Sequence, residues 1–182
     1  GVGDVYNYAD TGGRGGFARL NAVAKAEKAA NPNTLYLFDG DMLSPSILSG
    51  FDKGQNTIDL TNLVPFDLAV PGNHEFDFGT VPEGLGGVMV KDVGGVKVAL
   101  IPVAQDTSPQ VSSTGDLKFL PTVDTGVAAA ETAREEGADL VVGVVQTDMG
   151  NDRALIASGA FDVILSGDDH SYGTSYDGRT AY

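Results

Sequence analysis

Short apolar runs alternate with helix-like stretches along this 182-residue chain, and that alternation restricts it to an α/β fold with mixed sheets. Phe17, Leu20 and Val23 recur at helical spacing, which predicts a helix over 14–30 closed by Asn31-Pro32-Asn33. Leu35-Tyr36-Leu37-Phe38 then reads as a short buried strand. The same reading gives helices over 55–63 and 123–136, and strands over 68–70, 96–103, 140–145 and 163–165. A chain of this length is expected to form one domain spanning 1–182, with no inter-domain linker.

The functional signal lies in the polar clusters at the strand ends. The run over 35–38 leads into Asp39-Gly40-Asp41, and 68–70 into Pro71-Gly72-Asn73-His74-Glu75-Phe76-Asp77-Phe78-Gly79. Likewise 140–145 leads into Gln146-Thr147-Asp148, and 163–165 into Ser166-Gly167-Asp168-Asp169-His170. Turns after strands favour Gly, Asp and Asn for conformational reasons alone. Yet both histidines of the chain fall in these clusters, and in open α/β sheets ligands bind at the carboxyl ends of strands. The four clusters are therefore expected to converge.

Charge and composition narrow the chemistry. With 25 acidic against 11 basic residues the formal charge is −14, which opposes nucleic-acid polymers and anionic membranes. No apolar run approaches the roughly 18 residues of a membrane helix. Cysteine is absent, so any metal must be held by oxygen and imidazole. Gly12-Gly13-Arg14-Gly15-Gly16 lacks the Gly-Lys-Ser/Thr ending of a phosphate-cradling loop and reads as a turn before a helix, from which Arg14 either faces a phosphate or packs on a rim.

Taken in order, Asp4-Val5-Tyr6, Gly40-Asp41, Gly72-Asn73-His74-Glu75, Gln146 and Gly167-Asp168-Asp169-His170 resemble the calcineurin-like metallophosphoesterases, and the nearest branch looks like the catalytic domain of 5′-nucleotidases. The flanking strings Arg14-Gly15-Gly16-Phe17-Ala18-Arg19-Leu20 and Gly40-Asp41-Met42-Leu43-Ser44-Pro45-Ser46 support that branch. The resemblance implies a four-layer α-β-β-α sandwich of mixed sheets and a two-metal centre that hydrolyses phosphomonoesters, nucleotides among them. It also implies export to the periplasm or the cell surface. Carried over residue by residue, it makes Asp4 and His170 ligands of one metal, Asp41 a bridge, and Asn73 a ligand of the second that also meets substrate. His74 becomes the phosphoryl-facing catalyst and Asp77 the carboxylate that orients it, an arrangement that fixes an imidazole's tautomer and favours its protonated form. Arg14 is carried along as a candidate phosphate contact.

Three positions depart from the pattern, which has histidine where this chain has Tyr6, Gln146 and Asp168. Oxygen donors in place of nitrogen favour Mn²⁺, Mg²⁺ or Ca²⁺ over Zn²⁺. Tyr6 is then either an extra ligand or a hydrogen-bonder to one, and Asp148 and Asp169 stand as alternative carboxylates. The resemblance also leads one to expect a truncated domain. Only Gly1-Val2-Gly3 precede Asp4, the segment near 80–90 is short, the stretch from Gly178 to Tyr182 reads as the start of a further strand, and no C-terminal nucleotide-binding domain follows. Two readings stay open: a metal-dependent phosphohydrolase, or a weakened or inactive module of the same fold with a structural, assembly or binding role.

Overall fold

The computed structural model describes residues 1–79 and 87–182 and contains two sheets flanked by helices. Helix α1 (Phe17–Ala30) leads to strand β1 (Leu37–Phe38), the short helices α2 (Ser49–Asp52) and α3 (Gln55–Thr61), and strand β2 (Leu68–Ala69). β1 and β2 pair in parallel, and Val2 extends this small sheet by bridging in parallel to Phe38. A second sheet of order β3-β4-β5-β6 comes next, from β3 (Met89–Val93), β4 (Val96–Ala104), β5 (Leu140–Gln146) and β6 (Val163–Gly167). β3 runs antiparallel to β4, while β4, β5 and β6 are parallel. The crossovers are helices α4 (Thr122–Glu135) and α5 (Met149–Ser158).

Both faces of the large sheet are buried, which explains why β4 and β5 read as nearly continuous apolar runs. On β4, Val98 and Leu100 face the small sheet and meet Leu37, Leu68 and Val70. The alternate residues Ala99, Ile101 and Val103 pack with Ala130, Ala133, Leu155 and Phe161 around α4 and α5. β5 repeats the division, with Val142 and Val144 on the inter-sheet side and Val141 and Val145 on the helix side. Leu100 and Ile101 are fully buried, and each such side chain contributes about 2 kcal/mol by leaving water. On the far side of the small sheet, Asn21 of α1 donates to the Leu60 carbonyl of α3 at 2.9 Å. Asp67, just before β2, joins α1 to the large sheet through Lys28 at 2.9 Å and Lys91 at 2.7 Å.

The structure departs from the expected elements at several places, of which α2 is one, a single turn too short to show a helical period. α1 begins at Phe17 rather than at residue 14 because Gly15 and Gly16 adopt φ of 70° and 82°, which a right-handed helix excludes. β3 follows the short segment near 80–90 and is not among the strands read from sequence; Gly94 and Gly95, both at positive φ, form the tight turn that returns it into β4. Within that segment, 80–86 lie outside the described residues. α5 is not among the elements the sequence predicts: only Asp152 and Leu155 along it are buried, so its apolar stripe is too sparse to read. The C-terminal stretch makes isolated bridges rather than a strand, Ala181 pairing with Val163 and Tyr176.

Candidate metal centre

The strand-end loops meet at one edge of the molecule. Gly72 and Gln146 show how closely: a Cβ at Gly72 would run into the Asp41 carboxylate and come within 2.8 Å of Gln146 Nε2. A Cβ at Gly40 would lie 2.6 Å from Gln146 Cγ. The loops after β1, β2 and β5 therefore close on one another only because these positions lack a side chain. Across the gap, the Asp168 backbone N–H donates to Asp4 Oδ2 at 3.3 Å.

Tyr6 lies among three of the predicted ligands. Its hydroxyl is 3.1 Å from Asp4 Oδ1, 3.4 Å from Asp41 Oδ2 and 3.1 Å from His170 Nε2. Burial, and next the charges of Asp41 and Asp4, push this phenol well above its ordinary value, so the hydroxyl keeps its proton and donates to the carboxylates. His170 Nε2 is 3.4 Å from Asp4 Oδ1, with a largely exposed ring. Asp41 is 2% exposed, and burial followed by the neighbouring Glu75 charge raises it to about 6. Asp168 is also raised to about 6, by burial and then by Asp169, Asp41, Asp4 and Asp148.

The backbone carries a second mark at the same positions. Among the described residues, five non-glycine residues have positive φ, and four of them are Asp4 at 54°, Asp41 at 65°, Asp168 at 87° and His170 at 50°. Asp and His are among the side chains that tolerate this region best, and such strain gathers where a function requires a particular geometry.

Asn73 opens a 3₁₀ turn, Asn73–Phe76, directly after β2. Its neighbour His74 is tied twice to the cluster. The backbone N–H of His74 donates to Asp41 Oδ1 at 2.9 Å, and its ring Nδ1 lies 2.7 Å from Asp77 Oδ2. Burial would lift Asp77, but hydrogen bonds from Ser44 and His74 outweigh it and hold the carboxyl below the usual range. The charged Asp77 fixes the Nδ1–H tautomer and leaves Nε2 as the nitrogen available to a substrate.

Gln146 is 1% exposed, and among the described residues neither its Oε1 nor its Nε2 has a hydrogen-bond partner. An unpaired buried amide costs about 1–3 kcal/mol unless something else binds it. That orphaned amide, together with carboxylates that raise one another, fits a bound cation. Among the described residues no three His, Asp or Glu side chains form a cage by themselves. The donors are mostly hard oxygens, the chemistry of Mn²⁺, Mg²⁺ or Ca²⁺.

Other expected residues take different places. Arg14 is exposed, its backbone paired with Thr11, and no hydrogen bond or ion pair among the described residues joins it to the cluster. Asp148 caps α5: its Oδ1 accepts from the N–H groups of Gly150 and Asn151, and its Oδ2 accepts from Asn151 Nδ2 at 3.2 Å, so both oxygens are engaged. Asp169 is exposed. Two residues to which the sequence assigns no role stand close in. Ser44 donates to Asp77 Oδ2 at 2.5 Å, and Glu75 binds the backbone of both ligand loops. Glu75 has a sequence signal, because a glutamate three residues after a helix N-cap commonly turns back to the cap.

Two stacked sheets, one parallel and one mixed, with acids, amides and imidazoles on the loops after their strands define a metallophosphoesterase type of domain. The chain belongs to the calcineurin-like phosphoesterase family, whose model matches residues 2–172. These are hydrolytic enzymes that use divalent metals. The chain is 28% identical over 187 residues to an apyrase of Tabanus yao, an alignment covering 87% of this chain and 34% of the apyrase. It superposes on a 5′-nucleotidase precursor from Thermus thermophilus with a TM-score of 0.78 and 20% identity, covering 96% of this chain and 42% of that one. For the NAD nucleotidase of Haemophilus influenzae the TM-score is 0.81 at 21% identity, covering 97% and 43%. At those identities the structural likeness establishes the fold. The chain spans about a third of the length of the apyrase, of the Lutzomyia longipalpis protein 5NUC and of a 5′-nucleotidase-related protein of Glossina morsitans morsitans. Among the described residues no helix is long and apolar enough to cross a membrane.

Proposed function

We propose that this chain is the catalytic part of a 5′-nucleotidase-like, metal-dependent phosphohydrolase that cleaves phosphomonoesters. The observation that carries this reading is the double attachment of His74, whose backbone is bound to Asp41 while its ring is bound to Asp77. A phosphoryl-facing imidazole is thereby held beside the carboxylate that would bridge two cations. Asp4, Asp41 and His170 would hold one divalent ion, with Tyr6 as ligand or as donor to Asp4. Asp41, Asn73, Gln146 and Asp168 would hold the other. When bound, such a pair activates a water and neutralises phosphoryl oxygens. His74, with Nδ1–H donated to the charged Asp77, presents its Nε2 to the transferring phosphoryl group or the leaving oxygen. Asn73 and His74 bind the phosphoryl oxygens, with Arg14 further out. The resemblance to 5′-nucleotidases supports action at the periplasm or cell surface.

One observation favours the alternative of an inactive module: the second site rests on the neutral amide Gln146, a weaker donor than imidazole or carboxylate. Bound metal should therefore be measured in the purified chain, and turnover of an aryl phosphate and of nucleoside monophosphates followed with Mn²⁺, Mg²⁺, Ca²⁺ or Zn²⁺. Turnover that is highest with Mn²⁺ or Mg²⁺ is expected; no turnover with any of the four would sink the enzyme reading. Within an active chain, His74→Ala should lower kcat by about 10²–10⁴-fold with metal content intact. Asn73→Ala should instead lower metal content.

A further inference from the structure

We infer that Glu75 is the positioning residue of this centre, a buried carboxylate that locks the Asp41 loop and the Asn73 loop into one ligand frame before any metal arrives. The inference rests on the function proposed above. Glu75 is 2% exposed, and among the described residues no Lys, Arg or His forms an ion pair with it. Its charge is met by backbone alone. Oε2 accepts the N–H of Asp41 at 2.7 Å and that of Gly72 at 2.7 Å. Oε1 accepts the N–H of Met42 at 2.7 Å and that of Leu43 at 3.2 Å. Three successive N–H groups after β1 and one after β2 thus converge on a single side chain. Such a nest of amides is a strong counter-charge for a carboxylate.

The consequence falls on Asp41. This residue sits at φ 65°, a left-handed conformation that a non-glycine residue holds only when its surroundings require it. Glu75 supplies that requirement by fixing the N–H groups of residues 41, 42 and 43. It also fixes Gly72, next to Asn73, so this carboxylate ties the two ligand loops together through four N–H groups, beside the single His74 N–H bond to Asp41 Oδ1. Glutamine at this position would turn an NH₂ group toward N–H donors and leave at least one of them unsatisfied. Aspartate keeps the charge but is one methylene shorter, so it reaches one loop at the expense of the other.

The test compares the full chain with Glu75→Gln and Glu75→Asp by two measurements. The first is amide hydrogen exchange of the metal-free proteins. Exchange at Asp41, Met42, Leu43 and Gly72 should quicken by about tenfold or more in Glu75→Gln, with the amides of β4 and β5 unchanged. The second is Mn²⁺ titration, where affinity should fall by about 10–100-fold, with an intermediate loss in Glu75→Asp. kcat should fall with the occupied enzyme while KM changes little. Asp67→Asn serves as a control, since it loosens the fold away from the centre and should leave Mn²⁺ affinity unchanged. If Glu75→Gln does not fold, Glu75→Asp carries both measurements. Faster exchange with undiminished Mn²⁺ affinity would overturn the positioning role, and so would unchanged exchange. A wild-type chain that turns over no substrate with any of the four metals would overturn the proposed function, whereas the exchange and affinity differences between wild type and Glu75→Gln decide the positioning role, so the two failures are told apart.

Discussion

Val145 and Gln146 are consecutive residues of β5, both all but inaccessible to water, yet they do opposite things for the molecule. Val145 sits among Ile101, Leu155 and Phe161, and its burial contributes directly to folding. Gln146 ends the same strand with two buried polar atoms that find no partner among the described residues. The first residue spends its burial on the fold, whereas the second holds a donor and an acceptor in reserve for something that is not protein. The contrast extends to the whole domain. Between and behind the sheets, apolar faces interlock. At the strand ends, charges are crowded together and the backbone is bent into conformations that side chains resist. A stable body of this kind is what allows an unstable edge to persist.

That contrast can be broken by substitution. Leu100→Ala, in the layer between the sheets, should cost about 2–5 kcal/mol of unfolding free energy by denaturant titration, with kcat per folded molecule unchanged. A loss of turnover beyond the unfolded fraction would mean that core and edge are not separable. Gln146→Leu should act in the reverse sense. Removing two unsatisfied atoms at nearly constant volume should stabilise the metal-free chain by about 1–3 kcal/mol and weaken Mn²⁺ binding. Destabilisation there would show that the amide serves the fold after all.

The smallest expected effect concerns Asp67, which lies away from the edge. Burial would raise its carboxyl, but hydrogen bonds from Lys91, the Tyr36 N–H and Lys28 prevail and lower it to about 2 from an ordinary 3.8. A depressed acid contributes stability that is present in full above its unfolded value and is lost as pH falls through the folded one. Asp67→Asn should therefore cost about 1 kcal/mol at neutral pH. The difference from wild type should shrink between about pH 4 and pH 2. A difference independent of pH would assign the loss to packing rather than charge.

The parts that can be read from sequence divide along the same line. β4, β5 and β6 announce themselves as apolar runs because both faces of the sheet are covered, and the clusters after β1, β2, β5 and β6 are visible because turns and ligands use the same polar residues. α5 is harder, since only two of its side chains are buried and its capping residue, Asp148, has the same chemistry as a metal ligand. β3 is an edge strand with alternating exposure, and its one clear signal, Gly94-Gly95, is shared with ordinary loops. Glu75 is the least legible in its role: its partners are backbone N–H groups, which every residue but proline has, so no pattern of side chains names them. The left-handed angles at the aspartates are likewise a product of how the loops close.

Those angles constrain the lineage of the chain as well as its present shape. At Asp4, Asp41 and Asp168 the replacements that the backbone accepts with least strain are asparagine and glycine, and neither brings a negative charge. The mutations easiest for folding are thus the ones most damaging to ion binding. A descendant could shed its chemistry one aspartate at a time and remain a well-folded domain, so within such a lineage loss of activity would leave the architecture behind as raw material for another use.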